Sequence, residues 1–60
     1  MTVTEFYVRY SPQGRESGPH DEAKARMLAA RALQDPEIEF AELYRVLPSG
    51  AKQMAERVER

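Results

Sequence analysis

The chain has 60 residues, no cysteine, one histidine and a formal net charge of −1. Disulfides and thiolate metal sites are therefore excluded, and a single imidazole does not supply the usual zinc ligand sets. A chain this short forms one domain, residues 1–60, with a thin stability margin, so we expect a partner chain to stabilise it.

The distribution of charge and hydropathy argues against further classes of protein. Acidic and basic residues are interspersed, whereas nucleic-acid-binding domains are usually basic. No apolar run approaches the roughly 20 residues of a membrane span. Residues 1–10 contain Glu5 and Arg9, which a signal peptide would not tolerate. We therefore expect a cytoplasmic protein without a membrane partner, and the lack of cysteine suits a reducing compartment.

The first predicted element is a strand from Val3 to Tyr10. Its apolar face consists of Phe6, Val8 and Tyr10. Residues 11–14, Ser-Pro-Gln-Gly, have the composition of a three-residue hairpin loop that places its glycine in the left-handed conformation. A short return strand over residues 15–17 follows, and Gly18-Pro19 is predicted to end it.

A helix is predicted next, with Asp21 as N-cap or Pro19 at its first position, and an end near Gln34. Asp35-Pro36 stops it, because the residue before proline is pushed away from helical geometry. The core-facing stripe consists of Ala25, Leu28, Ala29, Ala32 and Leu33. A second apolar stripe consists of Ala23, Met27 and Ala30. One small sheet covers only one stripe, so the second is a candidate partner interface, although the helix propensity of alanine alone also explains it.

Residues 37–47 predict a long strand. Its buried face is predicted to contain Ile38, Phe40, Tyr44 and Val46, with Glu42 as an interruption. The turn Pro48-Ser49-Gly50 then predicts a hairpin with a return strand over residues 51–58 and Gly50 at positive φ.

In this second hairpin Tyr44 is expected opposite Met54, and Phe40 opposite Val58. Glu42 would then face Glu56, and a bulge, a bridging arginine or another register would have to relieve the repulsion. The alternative for the last segment is a helix, because its apolar residues also match helical spacing. Those residues are Ala51, Met54, Ala55 and Val58, and their neighbours are good helix formers.

The predicted fold is α+β: a small antiparallel sheet with one helix packed on one face, in the order β-β-α-β-β. The alternative replaces the last strand with a helix.

No catalytic, cofactor-binding or metal site is predicted. His20 has Ser17 nearby in sequence, but one titratable group does not make a catalytic site. The glutamates of the second hairpin alternate along the strand, as a solvated face does. Tyr7, Arg9 and Tyr10 have side chains that stack on bases, but no basic stripe accompanies them.

Three segments carry a resemblance to a known group of proteins. They are Ser17-Gly18-Pro19 with the alanine-rich helix, Glu39 to Val46, and Leu47-Pro48-Ser49-Gly50. Together they resemble small uncharacterised proteins encoded by actinobacterial phages. The resemblance implies a phage-encoded accessory protein in the host cytoplasm that binds a host protein, and it carries no catalytic residues.

The function expected from the sequence is a non-enzymatic protein–protein interaction or regulatory accessory role. The expected partners are a second copy in a homodimer or a host protein, through Ala23, Met27 and Ala30, or through an exposed sheet edge if the helix is occupied by its own core. The alternative function is a nucleic-acid-binding accessory factor. No cofactor is expected.

Overall fold

The computed structural model describes residues 4–60, and Val3 of the predicted first strand lies outside them. The elements are β1 (Phe6–Ser11), β2 (Arg15–His20), α1 (Glu22–Ala32), β3 (Phe40–Val46) and β4 (Lys52–Glu59). The strands form one antiparallel sheet in the order β2-β1-β3-β4, and α1 packs on one of its faces. The predicted α+β class and β-β-α-β-β order are confirmed.

The first hairpin turns through the predicted loop. Gly14 has a φ of 77°, and its N–H donates to the carbonyl of Tyr10 at 2.7 Å. The prediction that β2 ends at Gly18-Pro19 was wrong, because β2 continues to His20. These two residues form a bulge between the pairs Val8–Ser17 and Phe6–His20, so the ladder resumes beyond them.

Helix α1 begins at the predicted cap. The Asp21 carboxylate accepts the Lys24 backbone N–H at 2.7 Å, which satisfies a donor that the first helical turn leaves free. The helix ends at Ala32, two residues before the predicted end. Beyond it, the N–H groups of Gln34 and Asp35 reach carbonyls only three residues back, which is the tighter geometry typical of a helix end.

The core lies between α1 and the centre of the sheet. Val8 and Leu43 are its largest fully buried side chains. Alanines from the helix and from the sheet pack against these two side chains. The buried cluster is completed by Phe6, Ala25, Ala29 and Ala41. Small side chains let the helix backbone approach the sheet closely, so these few residues fill the interior.

The predicted faces of β3 were inverted. The strand starts at Phe40, because Asp35 first holds a turn in which its side chain and its carbonyl accept the N–H groups of Glu37 and Ile38. Ile38 is buried from this turn and not from the strand. Within the strand the core residues are Ala41 and Leu43, so the residues predicted as buried lie on the opposite face.

The second hairpin is confirmed as a hairpin, and the helical alternative was wrong. Gly50 has a φ of 89°, and its N–H donates to the carbonyl of Leu47 at 2.8 Å. A bulge between Leu43 and Tyr44 shifts the register of β4.

That bulge changes the cross-strand pairs. Tyr44 pairs with Met54 as predicted. Phe40 pairs with Glu59, and Glu42 pairs with Arg57, so neither faces the residue expected for it. The like-charge contact between Glu42 and Glu56 is thereby avoided.

Hydrogen bonds connect the C-terminal end of β4 to the loop after α1. The guanidinium of Arg60 donates to the carbonyls of Leu33 at 2.8 Å and Ile38 at 2.7 Å, and also to that of Asp35. One planar side chain thus satisfies three backbone acceptors near the helix C-terminus, where free carbonyls accumulate.

Candidate interaction surface

The sheet face turned away from α1, here called the open face, has no element packed on it among residues 4–60. Side chains alternate between the two faces of a strand. Because Phe6 and Val8 point to the core, Tyr7 and Arg9 lie on the open face. The cross-strand pairs extend this assignment over all four strands.

An aromatic row crosses the open face. Tyr7 pairs with Tyr44, and Tyr44 pairs with Met54. Gly18, in the β2 bulge, lies against the ring of Tyr7 at the other end of the row. The Met54 side chain is 51% exposed, so this row offers apolar surface to solvent.

A charged row runs beside the aromatic row. Glu16 pairs with Arg9, Arg9 with Glu42, and Glu42 with Arg57. Charges of opposite sign therefore alternate across the four strands. Cross-strand pairs of this kind are mildly stabilising, and they leave the row close to neutral overall.

The side chain of Lys52 extends from β4 across the aromatic row. Its ammonium nitrogen lies 4.0 Å from the centroid of the Tyr7 ring and 2.9 Å from a carboxylate oxygen of Glu16. The hydrogen bond from Lys52, together with the positive charges of Lys52 and Arg9, lowers the pKa of Glu16. Arg57 makes a similar contact, with its guanidinium carbon 3.7 Å from the centroid of Phe40.

The structure places the predicted interface residues Ala23, Met27 and Ala30 together on the exposed side of α1. Met27 is 48% exposed. Their use as an interface stays a prediction. The stripe is narrow, because two of its three side chains are single methyl groups.

A cleft of about 290 Å³ lies on the helix side of the sheet, next to β4. Arg26 lines it and bonds to both Glu22 and Glu56. These bonds raise the pKa of Arg26 further and commit its charge to two carboxylates. Arg45 also lines the cleft.

The β2 bulge brings the polar side chains of Ser17 and His20 into contact. Ser17 Oγ and His20 Nε2 share a hydrogen bond of 2.7 Å. Nucleophilic catalysis also needs a group that orients the imidazole and donors for an oxyanion. Among the hydrogen bonds of residues 4–60, no further side chain reaches the His20 ring.

Residues 4–60 contain no group of three or more His, Asp or Glu side chains arranged to hold a metal ion. The part of the chain that the structure describes also has no helix long and apolar enough to cross a membrane.

The open face was missed at the level of sequence because the apolar residues of β3 were assigned to the core. Of the three residues considered for base stacking, Tyr7 and Arg9 lie on the open face, whereas Tyr10 packs against the core. No family model matches this chain, and no curated protein sequence or solved structure is significantly similar to it.

Proposed function

We propose that this chain is a non-enzymatic protein–protein interaction module, and that the open face is its contact surface. The observation that carries the proposal is the aromatic row, in which half-buried Tyr7 and Tyr44 lie beside exposed Met54 on a face that no element of residues 4–60 covers. Aromatic residues and methionine are enriched in the centres of protein interfaces.

The charge distribution favours a protein partner over a nucleic acid. Surfaces that bind single strands combine stacking aromatics with a positive groove. Here the charged row holds as many acids as bases, and Lys52 is bound to Glu16. A nucleic-acid accessory role is the competing function, and binding that weakens steeply with salt would indicate it.

The resemblance to phage-encoded proteins suggests where the partner is found. On this proposal the partner is a protein of the same cytoplasm, and a host protein if a phage encodes the chain. The helix stripe with Met27 is the competing contact surface. Met27 and Met54 have nearly equal exposure, at 48% and 51%, and they lie on opposite sides of the molecule, so they form a matched pair.

The test is site-specific photocrosslinking in the native cytoplasmic extract. A photoreactive amino acid replaces Met54 in one preparation and Met27 in the other. The proposal predicts a discrete protein adduct from position 54. Where the adduct is with a different protein, excess unlabelled wild-type chain should suppress it and excess Met54→Glu chain should not.

Three results would overturn the proposal. One is adducts only from position 27, and another is no protein adduct from either position. The third is an adduct to nucleic acid whose yield falls steeply with salt.

A further inference from the structure

We propose that the occupant of the open face is a second copy of this chain, bound face to face about a two-fold axis that runs parallel to the strands. This inference rests on the proposed function, because it names the partner of the same surface. Two sheets packed in this way lie about 10 Å apart with nearly aligned strands, and the two helices lie on the outside.

The charged row is complementary to itself under this symmetry. The two-fold axis reverses the strand order of the second copy, so its β4 lies over β2 and its β3 lies over β1. Glu16 then faces Arg57 of the second copy, and Arg9 faces its Glu42. Every charge in the row meets an opposite charge, which fixes the register and disfavours shifted arrangements.

The aromatic row also meets itself under the same operation. Met54, the most protruding apolar side chain of the row, faces Gly18 of the second copy, where the Tyr7 ring lies against the glycine. The thioether of methionine makes favourable contacts with aromatic rings. Tyr7 faces Tyr44 of the second copy, and aromatic pairs of this kind are favourable beyond the burial of their area.

Pairing through the sheet edges is less favourable than this face. β4 contains the bulge near Met54, and its Glu56 points toward the helix side, where it binds Arg26. β2 contains the Gly18-Pro19 bulge, and proline has no N–H to donate to a new strand. Bulges, proline and inward charges are the devices that discourage edge-to-edge association.

Association also exchanges one ion pair for another. In the single chain Lys52 lies over Tyr7 and holds Glu16. In the proposed dimer Arg57 of the second copy binds Glu16 in place of Lys52, which moves to the rim. Arg57, which lies 3.7 Å from a carboxylate oxygen of Glu59 in the single chain, thereby changes its partner as well. A four-strand face is about 19 Å wide, and a strand of the length of β3 is about 24 Å long. Two such faces bury about 900 Å² in total, which is the size of a weak, transient interface. We therefore expect a dissociation constant in the micromolar range.

The first experiment is sedimentation equilibrium from about 1 μM to about 1 mM, concentrations that span the micromolar range of the expected dissociation constant. The wild-type chain is expected to approach twice its 6.9 kDa mass. Met54→Glu is expected to weaken dimerisation at least tenfold, and Met27→Glu is expected to leave it unchanged. A wild-type chain that stays monomeric throughout, or a dimer that only Met27→Glu dissociates, would overturn the inference.

The second experiment separates contacts between chains from contacts within one chain. Arg9→Glu and Glu42→Arg each place like charges opposite each other in a homodimer, so each variant alone should be mostly monomeric. Mixed in equal amounts, the two variants should dimerise, because every facing pair is then of opposite sign. Failure of the mixture to associate, with both variants folded by circular dichroism, contradicts the proposed arrangement.

The two proposals fail in different ways. A monomeric wild-type chain that still gives a competed adduct with another protein from position 54 overturns the second-copy inference alone. The absence of any protein adduct overturns both.

Discussion

Gly18 shows how a single missing side chain shapes this sheet. Its φ is 152°, and a Cβ atom built on it would lie 2.7 Å from Cδ2 of Tyr7 and 2.9 Å from the carbonyl oxygen of Phe6. Only glycine has both the conformation and the space. The close approach supports the Tyr7 ring, which occupies the space that a side chain at position 18 would fill.

We expect Gly18→Ala to lower the free energy of unfolding by about 2 kcal/mol or more, from backbone strain and from the contact with the Phe6 carbonyl. Gly14→Ala is the matched control. Gly14 also has positive φ, but nothing lies within 4 Å of the position of its Cβ, so its loss should be about 1 kcal/mol. Urea denaturation measures both variants, and equal losses would contradict this account of Gly18.

The ion pair between Lys52 and Glu16 gives the second prediction at this scale. The folded chain lowers the pKa of Glu16, first through the hydrogen bond from Lys52. A lowered carboxyl pKa stabilises the fold above the ordinary value of about 4.3, and this contribution disappears as the pH falls through the lowered pKa.

Lys52→Met should therefore raise the Glu16 pKa, measured by carboxyl NMR titration at concentrations at which the chain is monomeric, because in the proposed dimer Arg57 of the second copy replaces Lys52. The stability difference between Lys52→Met and wild type should be present at neutral pH and vanish in acid. Lys24→Met, which removes a charge from α1, is the control and should leave the Glu16 titration unchanged. An unchanged Glu16 pKa in Lys52→Met would show that the contact does not form in solution.

At the scale of the elements, the sequence was sufficient where local chemistry decides the structure. Pro12 to Gly14, Pro48 to Gly50 and the Asp21 cap specified two hairpin turns and a helix start, and all three formed as predicted. The helical propensity of residues 51–58 was overridden because β3 needed a partner strand.

The faces of β3 could not be read from the sequence, because they depend on what the helix brings to the core. Ala25 and Ala29 present methyl groups, so the interior takes Ala41 and Leu43 and leaves Phe40 and Tyr44 outside. The bulge after Leu43 also has no marker such as glycine or proline beside it. The open face could therefore be identified only from the pairing of the strands.

Arg60 links β4 to the end of α1, and its removal should act on both elements. We expect Arg60→Ala to cost about 1–2 kcal/mol, because three carbonyls lose a charged donor. Hydrogen exchange should become faster at Gln34, whose N–H closes the last turn. The loss of stability in Arg60→Lys should lie between those of wild type and Arg60→Ala, since an ammonium lacks the planar arrangement of donors of a guanidinium. Unchanged exchange at Gln34 in Arg60→Ala would contradict this link.

At the scale of the whole molecule, the domain has two layers, and one surface of its sheet is uncovered by residues 4–60. Its interior is small, because the largest fully buried side chains among residues 4–60 are those of Leu43 and Val8. A second copy on the open face would bury the aromatic row and the charged row of both copies between the sheets. Stability and association would then be linked by mass action.

We therefore expect the thermal unfolding midpoint of the wild-type chain to rise with protein concentration across the micromolar range. Met54→Glu should lose this dependence and keep a single low midpoint, whereas Met27→Glu should retain it. Differential scanning calorimetry at several concentrations is the measurement. A midpoint that is independent of concentration in the wild type would refute the link between association and stability.

The pairing of β1 with β3 has a kinetic consequence. Each hairpin closes over a three-residue turn, and α1 forms within its own segment, so these steps involve only neighbours in the chain. Joining the hairpins brings Ser11 beside Phe40 and Phe6 beside Arg45, which closes a long loop before the core can form. The entropy of that closure grows only logarithmically with loop length. We therefore expect the docking of the two hairpins, which α1 connects, to limit the folding rate of this domain.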